Sequence, residues 1–103
     1  MSAYCVFLVR EISDPAKLGE YRQNVVANVT KYGGTYRVLG GTCDALEAAA
    51  KPITGVIIEF PTLVAARKWY DSEDYAPLKK LRLDATRCEA FFMEGLPDQA
   101  AAR

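Results

Sequence analysis

Val56-Ile57-Ile58-Glu59-Phe60-Pro61 is the stretch that decides the fold. Four of its first five residues are β-branched or aromatic, side chains that suit a pleated and well-covered strand. Pro61 ends the run, because proline has no amide N–H to continue a ladder. Within the run apolar residues do not simply alternate with polar ones: Val56, Ile58 and Phe60 take one face, and Ile57 takes the other beside Gly55. A strand that is apolar on both faces needs cover on both.

Residues 40–52 before this strand begin Gly-Gly-Thr and pass through an alanine-rich stretch to Lys51-Pro52, with no sustained period, so they read as a long hairpin connection. That connection leads back to a short strand at Thr35–Leu39. Earlier still, Asp14-Pro15 supplies a cap and a proline at the first helical position. Leu18, Tyr21, Val25, Val29 and Tyr32 then recur at spacings of three and four, which predicts an amphipathic helix closed by Gly33-Gly34. Residues 3–12 form the first strand.

On the other side of Pro61, Thr62 caps a helix running through Trp69-Tyr70, and Ser72-Glu73-Asp74 restarts a second helical piece. Pro77 falls in the first turn of that piece, and Leu78, Leu81 and Ala85 face inward. Glu89 to Gly95 make the last strand. The order is β-α-β-β-α-β, an α+β, ferredoxin-like arrangement with two helices on one face of a four-stranded antiparallel sheet. Residues 1–96 are expected to form one such domain, and 97–103 a flexible C-terminal tail.

The 103 residues fit one domain. Thirteen basic residues balance 13 acidic ones, which argues against a nucleic-acid partner. No apolar run approaches the ~20 residues that would span a bilayer, so no membrane partner is expected, and the chain reads as cytoplasmic. There is no histidine, which removes Ser-His-Asp and Cys-His nucleophile pairs and His-held metals or haem. Cys5, Cys43 and Cys88 are odd in number and widely spaced, so they read as free thiols. No metal and no cofactor is expected.

Two helices can cover only one face of the sheet, yet the first and last strands are also apolar on both faces. A helix-free apolar face of this size marks an interface. Two copies packed sheet to sheet would cover it, so a homodimer is expected. Strand alternation groups Val6, Leu8, Ile57 and Phe92 on that face.

Several stretches also resemble the domain of unknown function 1330 family: Asp14-Pro15, Tyr32-Gly33-Gly34, Gly40-Gly41, Val56 to Pro61, Ala65-Ala66-Arg67, and above all Trp69-Tyr70-Asp71-Ser72-Glu73-Asp74-Tyr75. The resemblance runs from about residue 3 to residue 96. It implies a dimeric α+β barrel, the architecture of antibiotic-biosynthesis-type monooxygenases and muconolactone-isomerase-like proteins, and it implies no particular activity. The chain departs from the family's pattern before the third strand, with small residues at Ala48, Ala49, Ala50, Thr54 and Gly55 in place of larger groups. That departure suggests a roomier pocket.

With no histidine, acid–base chemistry falls to carboxylates, tyrosines, arginines and thiols. Alternation places Arg10, Glu59 and Glu94 together on the Ile57 side. They form either an ion-paired rim or a polar cluster facing a ligand. Tyr70, Tyr75 and Arg82 join them as candidate polar points of a mostly apolar cleft between the sheet and the second helical segment, open toward residues 40–55. Two functions fit. One is a cofactor-independent enzyme in which a carboxylate of raised pKa serves as base and an arginine or tyrosine stabilises an anion. The other is a non-catalytic dimeric module for a hydrophobic or aromatic metabolite, or for a protein partner.

Overall fold

The computed structural model describes residues 1–97. Its elements are β1 (Ala3–Ile12), α1 (Pro15–Lys31), β2 (Thr35–Leu39), β3 (Thr54–Phe60), α2 (Leu63–Tyr70), α3 (Ala76–Ala85) and β4 (Thr86–Glu94). The strands form one antiparallel sheet in the order β2-β3-β1-β4. This is the ferredoxin-like topology, with its second helix in two pieces.

Local chemistry sets the boundaries. The Asp14 carboxylate accepts the Lys17 amide at 3.1 Å and Pro15 opens α1. Thr62 Oγ1 accepts the Ala65 amide at 3.0 Å and starts α2. Gly33, at φ 87°, turns the chain out of α1. Gly34 then lies so close to the core that an added Cβ would sit 2.4 Å from a Val29 methyl. Ser72 behaves differently from the expectation that it caps α3. It accepts the Tyr75 amide and donates to the Trp69 carbonyl, so it shapes the turn between the helices, and α3 begins only at Ala76.

One face of the sheet is covered by α1, α2 and α3. Cys5, Phe7, Ile58 and Phe60 meet Leu18, Tyr21, Val25 and Val29 of α1 in a single buried core. Each fully buried side chain of this size contributes roughly 1.5–3 kcal/mol. Trp69 anchors the centre: its ring stacks on Phe60 at 5.5 Å and meets Tyr75 at 4.2 Å, while its indole N–H donates to Asn28 at 2.8 Å.

The opposite face carries no helix. Tyr4, Val6 and Leu8 of β1 share it with Ile57 of β3, Val38 of β2, and Phe91 and Met93 of β4. Here two expected facings are corrected, those of Phe92 and Glu94, and Glu94 follows its ladder partner, the buried Ala3, to the helix side. Phe92 pairs directly with Cys5, whose side chain is buried under the helices, so Phe92 points to the helix side and packs edge-on against Tyr70 at 5.7 Å. The open face receives Phe91 (45% exposed) and Met93 (54% exposed) instead.

Candidate functional site

A cavity of about 470 Å³ lies between the sheet and α1, within the range of small-molecule sites. Phe7, Val9, Val56 and Ile58 line it from the strands, and Leu18, Tyr21 and Val25 from α1. Tyr36 of β2 and Arg82 of α3 add polar tips. The cavity reaches the 40–55 connection, as expected, through Gly40, Ile53 and Thr54. Its other wall is α1 rather than the second helical segment.

Arg82 is 5% exposed and is the buried charged residue of the described chain. It sits inside because α3 packs against α1 with Leu78, Arg82 and Ala85 on one stripe, four and three residues apart. Its Nε donates to the Tyr75 hydroxyl at 3.3 Å and its Nη2 to the Tyr70 hydroxyl at 3.4 Å. The Tyr75 and Tyr21 hydroxyls are 2.9 Å apart, which extends the network to the cavity wall. The guanidinium also lies over the Phe7 ring at 4.8 Å.

Among the described residues no carboxylate comes within 4.0 Å of the Arg82 guanidinium. A guanidinium has five N–H donors, and tyrosine oxygens take two. No oxygen among the described residues accepts from its Nη1, which can serve a further acceptor. Burial works against the Arg82 charge while the adjacent Tyr75 oxygen favours it, and the net shift of its pKa is upward. Burial pushes the Tyr21, Tyr36 and Tyr75 phenols up, with Arg82 and its hydrogen bond opposing at Tyr75. All three stay neutral near pH 7, so each keeps a hydroxyl proton that it can donate. Burial also raises the Cys88 thiol at the cavity wall, with Arg82 opposing.

The six residues singled out from sequence therefore separate into two groups. Arg82 lines the cavity, and Tyr70 and Tyr75 hold it from behind. Arg10, Glu59 and Glu94 do not line it. Arg10 lies at an irregularity of β1, between Val9 and Glu11, where it bonds Glu89 at 2.8 Å and the Ala50 carbonyl at 2.9 Å. Glu59 pairs with Arg37 at 2.9 Å on the open face. Hydrogen bonds from Ser2 and Arg37 hold its carboxyl below the ordinary range, the reverse of the shift a base near neutrality needs. Glu94 pairs with Ala3 across the ladder and is exposed at the far end of the sheet. Arg10 and Glu59 thus each sit in an ion pair, with Glu89 and with Arg37, and not with one another.

Tyr21 and Tyr36 are cavity residues that the sequence reading did not single out as chemical. Tyr21 fitted the apolar stripe of α1 and read as core. Tyr36 faces the cavity because its ladder partner Ile58 lies on the buried face, a register that only the structure supplies.

Solved structures share this fold. A protein of unknown function from Rhodopseudomonas palustris matches with a TM-score of 0.73 at 16% identity, over 93% of this chain and 83% of that one. A dimeric ferredoxin-like protein of unknown function from Jannaschia sp. CCS1 matches with a TM-score of 0.73 at 12% identity, over 92% and 100%. A mutant of SnoaB, a cofactor-independent oxygenase from Streptomyces nogalater, matches with a TM-score of 0.64 at 11% identity, over 91% of each chain. At these identities the likeness is one of fold. No curated protein matches the sequence. Among the described residues no helix is long and apolar enough to cross a membrane. The model of one family, described as a domain of unknown function, matches residues 2–96, nearly the whole chain, and the protein belongs to that family, DUF1330.

Proposed function

We propose that the chain works as a homodimer that binds a small, mainly apolar acid in the cavity between the sheet and α1. It acts on that ligand as a cofactor-independent enzyme by stabilising its anion. The observation that carries this reading is Arg82, a buried cation without a carboxylate partner among the described residues, on the wall of an apolar cavity. Burying a charge is costly, and a partner supplied by a ligand offsets that cost.

The cavity lining includes no Asp, Glu or His. The neutral tyrosines are poor bases, so the site suits phenols, enols and carboxylic acids that ionise without a strong protein base. Arg82 is placed to stabilise the oxyanion as charge develops, with Tyr21 and Tyr36 as hydroxyl donors from the wall. The fold it shares with SnoaB supports the enzymatic reading over a passive module. The dimer is supported by the open apolar face and by the dimeric state named for the Jannaschia protein.

A nitrophenol that ionises near neutral pH, with a coloured anion, tests the site. Bound to the protein it should keep its phenolate band at least one pH unit below the free dye, a tenfold preference for the anion. Arg82→Met should abolish that preference and Arg82→Lys should keep part of it. A dye bound with an unchanged or raised pKa overturns the anion site. Oxygen uptake with an enolisable aromatic ligand then separates the classes, because binding without turnover leaves only the binding module. Light scattering should give about twice 11.4 kDa, falling to one chain's mass in Phe91→Asp. A monodisperse wild-type monomer at micromolar concentration would overturn the dimer.

A further inference from the structure

The cavity has an unusual polarity. Charged groups normally stand at the mouth of an apolar pocket, in water, with apolar residues at the closed end. Here a charged group also stands at the closed end, and the mouth carries large apolar residues beside Arg22. The buried part of the lining holds Arg82 and Tyr21, whereas the exposed part includes Val26 (43% exposed), Leu39 (58%) and Ile53 (58%). These three come from separate elements, namely α1, the end of β2 and the residue just before β3. All three line the cavity and are exposed, so they stand where it meets solvent.

We infer that the natural ligand is a monoanionic amphiphile that enters acid end first. Its carboxylate or phenolate meets Arg82, and its alkyl or aryl tail runs outward past Val56 and Val25 to leave over Val26, Leu39 and Ile53. This rests on the reading of Arg82 as an anion site and adds the ligand's class and direction. Two observations carry it. The cation is at the buried end of the cavity, so a ligand cannot reach it with a charged group left outside unless its body threads the cavity. The exposed apolar residues at the opening have no partner within the cavity, and a tail laid across them would remove them from water.

Arg22 is the charged residue at this opening; it also lines the cavity, is exposed, and makes no ion pair among the described residues. Its presence gives the inference a sharp alternative. If Arg22 receives a second acid, the ligand is a diacid rather than an amphiphile.

Calorimetric titration of the full chain with hexanoate, octanoate, decanoate and decanedioate, below their micelle concentrations, distinguishes these cases. Affinity should rise roughly fourfold for each methylene buried, and the rise should flatten once the tail clears the rim. Decanedioate should bind at least tenfold more weakly than decanoate, because its second carboxylate would lie against Leu39 and Ile53. Leu39→Ser and Ile53→Ser should cost decanoate more than hexanoate. Decanedioate binding as tightly as decanoate, with the gain lost in Arg22→Ala, would overturn the amphiphile. So would an affinity indifferent to chain length. If no member of the series binds, or if Arg82→Met binds them all as well as the wild type, it is the anion site itself that fails.

Discussion

Replacing Arg82 by methionine should leave the ligand-free protein about as stable as before, although the substitution removes a buried charge with two hydrogen bonds. The lost bonds are long, at 3.3 and 3.4 Å, and go to neutral hydroxyls. The cation over Phe7, at 4.8 Å, contributes about 0.5–2 kcal/mol. Against these stands the desolvation of the guanidinium, which costs several kcal/mol in a protein interior. Methionine fills much of the same space; the Tyr75 hydroxyl keeps its Tyr21 partner at 2.9 Å, and the hydroxyl that loses its bond is the half-buried one of Tyr70. The expected change lies between a loss of about 1 kcal/mol, the net worth of a hydrogen bond, and a gain at the low end of the roughly 1–4 kcal/mol seen when buried ions give way to apolar groups. In a chain of this size 1 kcal/mol corresponds to about 4–8 °C in Tm. Urea unfolding followed by circular dichroism, at one fixed protein concentration, measures it. A loss of about 3–5 kcal/mol, the cost of breaking a buried ion pair, would refute the reasoning by showing that Arg82 is held by a structural anion and is not kept for a ligand.

Gly34→Ala should destabilise by about 1–3 kcal/mol or more, since the new methyl would overlap Val29 and the Phe60 ring, whereas Gly41→Ala, with nothing within 4 Å, should stay within about 0.5 kcal/mol; equal denaturation midpoints for the two would contradict the packing at Gly34. Alkaline pH should unfold the protein with Cys5 contributing, because burial pushes its thiol from 9.0 up to about 12. The folded thiol keeps its proton where the unfolded one has lost it. Its stabilisation is therefore complete below pH 9 and is lost as pH rises toward about 12. Cys5→Ala should flatten the decline of stability across that window, and an unchanged slope would show that the buried tyrosines alone drive it.

Much of this fold is legible in the chain because local signals agree with one another. Asp14-Pro15 and Thr62 cap their helices, Pro61 ends β3, and the Leu18-Tyr21-Val25-Val29 stripe marks the buried side of α1. The apolar character of both sheet faces was equally plain, because Ile57 interrupts the polar alternation of β3. What the sequence could not supply was facing. Phe91, Phe92 and Met93 are three large apolar residues in a row and carry no parity of their own, and only the pairing of Phe92 with Cys5 sets which of them turns inward. Arg10 reaches Glu89, the ladder partner of Leu8 on the helix-free face, and so lies away from the cavity on the helix-covered side. Arg82 was legible as a candidate polar point of an apolar cleft, although the inward stripe read from α3 was Leu78, Leu81 and Ala85. Its burial, its tyrosine partners and the cavity beside it follow from how α3 and α1 close over the sheet, an arrangement of residues far apart in sequence that only tertiary packing decides.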